Sequence, residues 1–232
     1  MFRTVSPDRA AFAAIEVFRG VPDHALRRIA ELARVRRLPR RVRILSQGDE
    51  GARVHAVIEG AVCTAQSGSD GAQTVMRIAG SGQIFEAVAV FTDGRYPADA
   101  VTMSETVEAS WNETDFLALI GAFPPIAFNL IRIMATGLQE MEERVRELAT
   151  RSAERRIAYT VLRLAKANGR ATPAGIAIDI PLRRKDVADI AGTTLHTASR
   201  VLAGWERAGL VANSKRMLTV KGLPELQAKT AD

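Results

Sequence analysis

Residues 184–210 read RKDVADIAGTTLHTASRVLAGWERAGL, and this stretch decides the architecture. Val187, Ile190 and Ala191 recur at helical spacing and predict a short helix. Gly192 breaks the pattern, as a tight turn between two helices requires, because glycine enters left-handed backbone conformations freely. Thr193 and Thr194 follow, and a threonine hydroxyl can cap the next helix. In that helix Ala198, Val201, Leu202 and Trp205 fall at i, i+3, i+4 and i+7, a stripe that must be buried. His196, Ser199, Arg200 and Ala203 fall on another side, short and polar with one arginine. A helix-turn-helix presents such a face to the major groove and reads base edges from the N-terminal half of its second helix. Leu210-Val211, a turn through Asn213-Ser214-Lys215-Arg216, and Met217 to Val220 predict a small hairpin, or wing.

Upstream, the pattern changes twice. Val21 to Val35 reads as a helix, with Asp23 as its cap and Leu26, Ile29, Ala30 and Leu32 as its apolar side. From Leu38 to Thr106, short apolar runs alternate with glycine turns, as in RVRILSQGDEG, VHAVIEGAVCTAQSGSDG and TVMRIAGSGQIF. That rhythm predicts an all-β barrel or sandwich, closed by a last strand over 107–111. Pro124-Pro125 can start a helix. Leu130, Met134, Leu138, Met141, Val145 and Leu148 then form a seam that pairs most simply with its own copy in a dimer. Residues 150–152 loosen the pattern. Ala153–Asn168 is a further amphipathic helix, 169–175 a loop and 176–182 a strand. The expected division is therefore a sensor domain over 1–123, a dimerisation helix over 124–150 and a DNA-binding domain over 151–232. The first twenty residues carry little pattern.

Composition limits the function classes. The chain has 232 residues, a net charge of +6 and a pI of about 10.1, a balance that favours an anionic partner such as DNA. Its one cysteine, Cys63, permits no internal disulfide and fits a reducing cytoplasm. One thiolate is also too few for an iron–sulfur cluster. No secretory signal and no membrane-length apolar run is expected. A metal enzyme on a small β barrel would need clustered histidines and carboxylates, and the β region carries one histidine.

A β domain, a long pairing helix and a winged helix-turn-helix in this order resemble the Crp/Fnr family of bacterial transcription regulators. The likeness is carried by ILSQGDEG, VIEGAV, GSGQIFEAVAVF and DIAGTTLHTASRVL, in family order and spacing. It implies an α+β fold: an N-terminal β-roll, or cyclic-nucleotide-binding-like jelly roll, then a dimerisation helix and a C-terminal winged helix-turn-helix. It also implies a cytoplasmic homodimer that binds near-palindromic promoter DNA, contacts RNA polymerase and has no enzymatic role. In the DNA-binding part, Arg200 matches the family arginine, whereas His196 stands where relatives usually carry a glutamate. Ser199 and Thr194 accompany them, and Lys185, Lys215 and Arg216 are expected phosphate contacts.

The resemblance also locates the sensor. In the cyclic-AMP branch a glutamate, an arginine and a serine hold the ribose and cyclic phosphate; the matching positions here are Ala87, Pro97 and Ala98. Met141 and Glu142 stand at the adenine-contacting positions of the long helix. Cyclic AMP is therefore not the expected effector. The segment EAVAVFTDGRYPADA, Glu86 to Ala100, is similar to Dnr, Nnr and HcpR-like members, which implies sensing of nitric oxide or redox state through heme. The candidate heme ligands are His55 and His24, with Cys63 as a redox candidate. The alternative is a regulator without an effector, controlled by abundance or by oxidation of Cys63.

Overall fold

In the computed structural model, residues 3–4, 8–68, 73–214 and 217–230 are described. They fall into two compact units, one of residues 1–72 and 76–139, the other of 73–75 and 140–232. The expected contacts Lys215 and Arg216 lie outside the described residues.

The first unit is built on two antiparallel sheets. One orders its strands Arg3–Thr4, Arg34–Leu38, Thr106–Asn112, Arg53–Glu59 and Ile84–Glu86. The other orders Arg43–Leu45, Asp99–Thr102, Val62–Ser67 and Gln73–Ala79. Strand alternation separates two cores. Val35, Val54, Ala56, Val107, Ala109 and Trp111 face one cluster, with Phe12, Phe18, Leu26, Ile29 and Phe116. Val57 joins Leu45, Val62, Phe85, Tyr96 and Ala100 in the other. The Trp111 indole donates to the Ile29 carbonyl at 2.9 Å, so its one polar atom is satisfied inside the core.

Several expectations need correction. The helix expected over 21–35 runs Asp23–Leu32, and Asp23 is its first residue rather than its cap. Val35 belongs to a strand, because Arg34–Leu38 pairs with Thr106–Ser110. The N-terminal stretch is not featureless: Arg9–Ala13 is a helix and Glu16–Phe18 a 3-10 turn, and Phe12, Ile15, Val17 and Phe18 are buried. A helix over Glu113–Ala122, capped by Asn112, precedes the long helix and was not expected.

The long helix runs Pro125–Thr150. Leu130 does not share the seam with its expected neighbours: it is buried in the first unit's core, together with Ile126. The exposed apolar residues are Phe128, Ile131, Met134, Leu138, Met141, Val145 and Leu148. Their spacing of 3, 3, 4, 3, 4 and 3 keeps them on one side of the helix. Phe128 and Ile131 thus extend the stripe that Leu130 leaves.

The second unit continues with Ala153–Asn168, capped by Ser152. Residues 169–175 are not a simple loop: Gly169–Thr172 pairs with Gly175–Ile178. That hairpin joins Met217–Val220 and Val211–Ser214 in a four-stranded sheet. Among the described residues no single helix is long and apolar enough to cross a membrane.

Candidate nucleic-acid interface

The helix-turn-helix is formed by Arg184–Ile190 and Leu195–Arg207. The first helix starts where Asp186 reaches back, its carboxylate accepting the Arg183 backbone N–H at 2.7 Å and the Arg183 guanidinium at 2.6 Å. Gly192 in the turn has φ +60°, the left-handed conformation expected for it. A Cβ there would lie 2.6 Å from the terminal methyl of Leu148, a half-exposed side chain that can turn aside, so it is conformation rather than space that calls for glycine. Thr194 caps the second helix, its hydroxyl accepting the Thr197 N–H at 3.1 Å.

Two arginines hold the turn, and sequence reasoning missed both. Arg144 donates to the Ile190 carbonyl at 2.8 Å. Arg156 donates to the Ala191 and Gly192 carbonyls at 2.9 and 3.0 Å, and to Arg151 O at 2.8 Å. The Ile190 and Ala191 carbonyls are among those that a helix end leaves without intrahelical partners, and the Gly192 carbonyl belongs to the turn itself.

Ala198, Leu202 and Trp205 are buried as the stripe required, Val201 is only partly buried, and the Trp205 indole donates to Glu154 at 3.2 Å. His196 and Arg200 are exposed, and Ser199 is partly exposed beside them. An arginine fork can donate twice to a guanine, and an imidazole or hydroxyl can donate or accept at a base edge. Thr194 is committed to its cap. Lys185 pairs with Asp189 on its own helix at 2.9 Å, an exposed contact that a phosphate can replace at little cost.

The first unit holds the sensor candidates. His55 is 2 % exposed, and both ring nitrogens are engaged. Nδ1 is 2.6 Å from Glu108 Oε1 and Nε2 is 3.2 Å from the Tyr96 hydroxyl. Arg36 donates to the other Glu108 oxygen at 2.8 Å. Burial pushes the His55 pKa down, so the ring is neutral. Its Nδ1–H then donates to Glu108, and its Nε2 accepts from Tyr96. Burial works against the Glu108 charge, but the hydrogen bonds from His55 and Arg36 outweigh it and hold the carboxyl below the usual carboxylate range.

Around the expected effector segment, Ala87 and Ala98 are buried and present only methyl groups. The Tyr96 ring packs where a side chain on Gly51 would stand. Glu86 turns back on its own segment, accepting the Val88 N–H at 2.6 Å and the Ala89 N–H at 3.3 Å, and burial raises its pKa. His24 is exposed, with its ring centroid 5.5 Å from that of Phe123. Cys63 is partly exposed in the strand Val62–Ser67. Among the described residues no group of three or more His, Cys, Asp or Glu side chains forms a metal site.

Two family models match the chain: a cyclic nucleotide-binding domain over residues 35–122 and a Crp-like helix-turn-helix domain over residues 155–229. The chain is 29% identical over 168 residues to a cyclic AMP receptor protein of Thermus thermophilus, covering 72% of this chain and 74% of that one. It is 23% identical over 210 residues to a CRP-like cAMP-activated global transcriptional regulator of Mycobacterium tuberculosis, covering 87% and 94%. Among solved structures, FixK2 from Bradyrhizobium japonicum superposes with a TM-score of 0.75 at 21% identity, covering 86% of this chain and 98% of that one. A CooA variant from Carboxydothermus hydrogenoformans superposes with 0.74 at 19% identity, covering 99% and 98%. At those identities the two structures speak for the fold alone. A cyclic nucleotide-binding β domain followed by a Crp-like helix-turn-helix makes this chain a member of the Crp/Fnr family, a DNA-binding transcription regulator and not an enzyme.

Proposed function

We propose that the protein is a homodimeric, sequence-specific regulator of promoters that does not answer to cyclic AMP. The observation that carries the DNA part is the face of His196, Ser199 and Arg200, on a capped helix whose preceding turn is held by Arg144 and Arg156. Arg200 reads a base, His196 and Ser199 set the rest of the preference, Thr194 positions the helix start, and Lys185 contacts phosphate. Lys215 and Arg216 keep the same assigned role from the sequence. The exposed stripe from Phe128 to Leu148 is the dimer seam, and a symmetric dimer suits a near-palindromic site. In this reading the dimer works in the cytoplasm and contacts RNA polymerase at the promoter.

The case against cyclic AMP rests on chemistry at the matched positions. A cyclic phosphate needs charged or hydrogen-bonding partners. Ala87, Pro97 and Ala98 offer no charge and no hydroxyl. The likeness of Glu86–Ala100 to Dnr, Nnr and HcpR-like members points to nitric oxide or redox state as the class of signal, but heme fits neither histidine as placed. His55 has both nitrogens committed in a buried chain, and His24 stands on the outer surface. An axial ligand needs a free nitrogen facing an apolar slot. The geometry therefore favours control by abundance, or by oxidation at Cys63, over a histidine-bound heme.

Titration calorimetry with millimolar cyclic AMP tests the first point, and no binding heat is expected. Micromolar affinity would mean that Ala87, Pro97 and Ala98 are matched to the wrong positions. The absorption spectrum of protein purified from heme-sufficient cells tests the second, and no Soret band is expected.

A further inference from the structure

Leu195 opens the second helix of the helix-turn-helix and leaves half of its surface in water. Further along that helix Leu202 and Trp205 are buried and Val201 is partly buried. Leu195 lies one turn before Ser199 and directly before His196, so its isobutyl group stands at the edge of the face assigned to base reading. Its neighbour Thr194 is occupied by the cap, accepting the Thr197 N–H at 3.1 Å. The N-terminal end of the helix therefore presents one exposed apolar group flanked by polar ones.

In the major groove, apolar contact is informative at one place, the C5-methyl group of thymine. We infer that Leu195 is a specificity-determining residue that packs on a thymine methyl in each half-site. This rests on the placement of the same helix in the major groove, and it adds a readout that hydrogen-bonding residues cannot supply. Cytosine lacks the methyl group, and the opposite orientation of the pair places it on the other strand. Leu195 therefore selects both the pair and its direction.

The experiment uses the full-length protein and removes only the methyl group. Selection from random DNA first gives the half-site preferred by the parent protein. Each thymine is then replaced, one position at a time, by deoxyuridine, which pairs identically but lacks the methyl. Burying one methyl-sized apolar group gives an expected loss of about fourfold per half-site at one thymine, and little change at the others. Leu195→Ala should weaken binding to the thymine site and lose that deoxyuridine penalty. Leu195→Arg should move the preference at that position from thymine toward guanine, which offers two acceptors. A parent protein indifferent to deoxyuridine at every position, a selected half-site without thymine, or a Leu195→Ala protein with the full penalty would overturn the proposal and leave DNA binding intact. A parent protein that enriches no sequence would overturn the groove placement itself, and this contact with it.

Discussion

His55 shows how one buried residue ties stability to pH. Folded, it is neutral and spans Glu108 and Tyr96; unfolded, it takes up a proton near its ordinary value of about 6.5. The folded pKa is the lower of the two, so the native state binds fewer protons as pH falls below about 6.5. Stability is full above that value and is lost below it, by at most about 1.4 kcal/mol per pH unit for one proton. Glu108 adds a second loss, in the same direction, below the ordinary carboxylate range. Urea midpoints between pH 8 and pH 5 should fall for the parent protein. His55→Gln keeps a donor for Glu108 and an acceptor for Tyr96 but does not titrate, so its midpoint should fall less. A stability gap between the two proteins that stays constant with pH would refute a neutral, shifted His55. The sequence could not reveal this chain. Arg36, Glu108 and His55 are far apart in sequence, and register across Arg34–Leu38, Thr106–Asn112 and Arg53–Glu59 brings them together.

At the scale of elements, the turn and the long helix make opposite demands. Gly192 must adopt φ +60° with Leu148 close by, so Gly192→Ala should destabilise the second unit. The conformational part is about 1–2 kcal/mol, and the Leu148 methyl can turn aside without adding much to it. A calorimetric scan showing an unchanged transition for that unit would mean that the turn adapts without strain. The stripe on Pro125–Thr150, by contrast, is free to change within one chain. Leu138 and Met141 are 63% and 41% exposed, so Leu138→Glu with Met141→Glu should leave the secondary structure intact. Between two copies the same change would bury like charges, a penalty of several kcal/mol. Sedimentation should then find folded monomer, and a stable dimer with a native circular dichroism spectrum would place the interface elsewhere. Periodicity made these elements legible: Ala153–Asn168 and the helix-turn-helix follow directly from spacing, cap and glycine. It failed where tertiary packing chose between two plausible faces. Leu130 continues the seam by spacing, yet the first unit's core takes it, and Phe128 and Ile131 are left outside. The helix over Arg9–Ala13 was missed because five residues give spacing little room to declare itself, and the one over Glu113–Ala122 because its apolar residues are spread around the helix and leave no one-sided stripe.

For the whole molecule, recognition divides into what positions the protein on DNA and what reads the sequence, and charge alone cannot tell the two apart. The net charge of +6 gives affinity for any duplex, and such affinity falls steeply with salt. Arg200 and Lys185 sit in the same helix-turn-helix but should behave differently. Arg200 is exposed on the reading face, where its fork can engage a guanine, and such a pair gives about 1–3 kcal/mol of discrimination. Arg200→Ala should therefore relax the preference at one base pair in each half-site. Lys185 lies on the first helix of the helix-turn-helix and pairs with Asp189, a partner its ammonium can trade for a phosphate. Lys185→Ala should weaken all sequences alike and reduce the slope of log affinity against log salt by about one per lost phosphate contact. His196 provides the internal control, because the family usually carries a glutamate there, an acceptor suited to a cytosine amino group. His196→Glu should draw the selected site toward the common family sequence while leaving the salt slope nearly unchanged. Selection on random DNA, run at two salt concentrations for the parent and the three variants, separates these effects. If His196→Glu and the parent enrich the same sequence with equal stringency, position 196 reads no base and the helix lies differently in the groove. If Arg200→Ala changes only the salt slope, Arg200 is a phosphate contact, and sequence reading passes to the apolar and polar groups at the start of the helix.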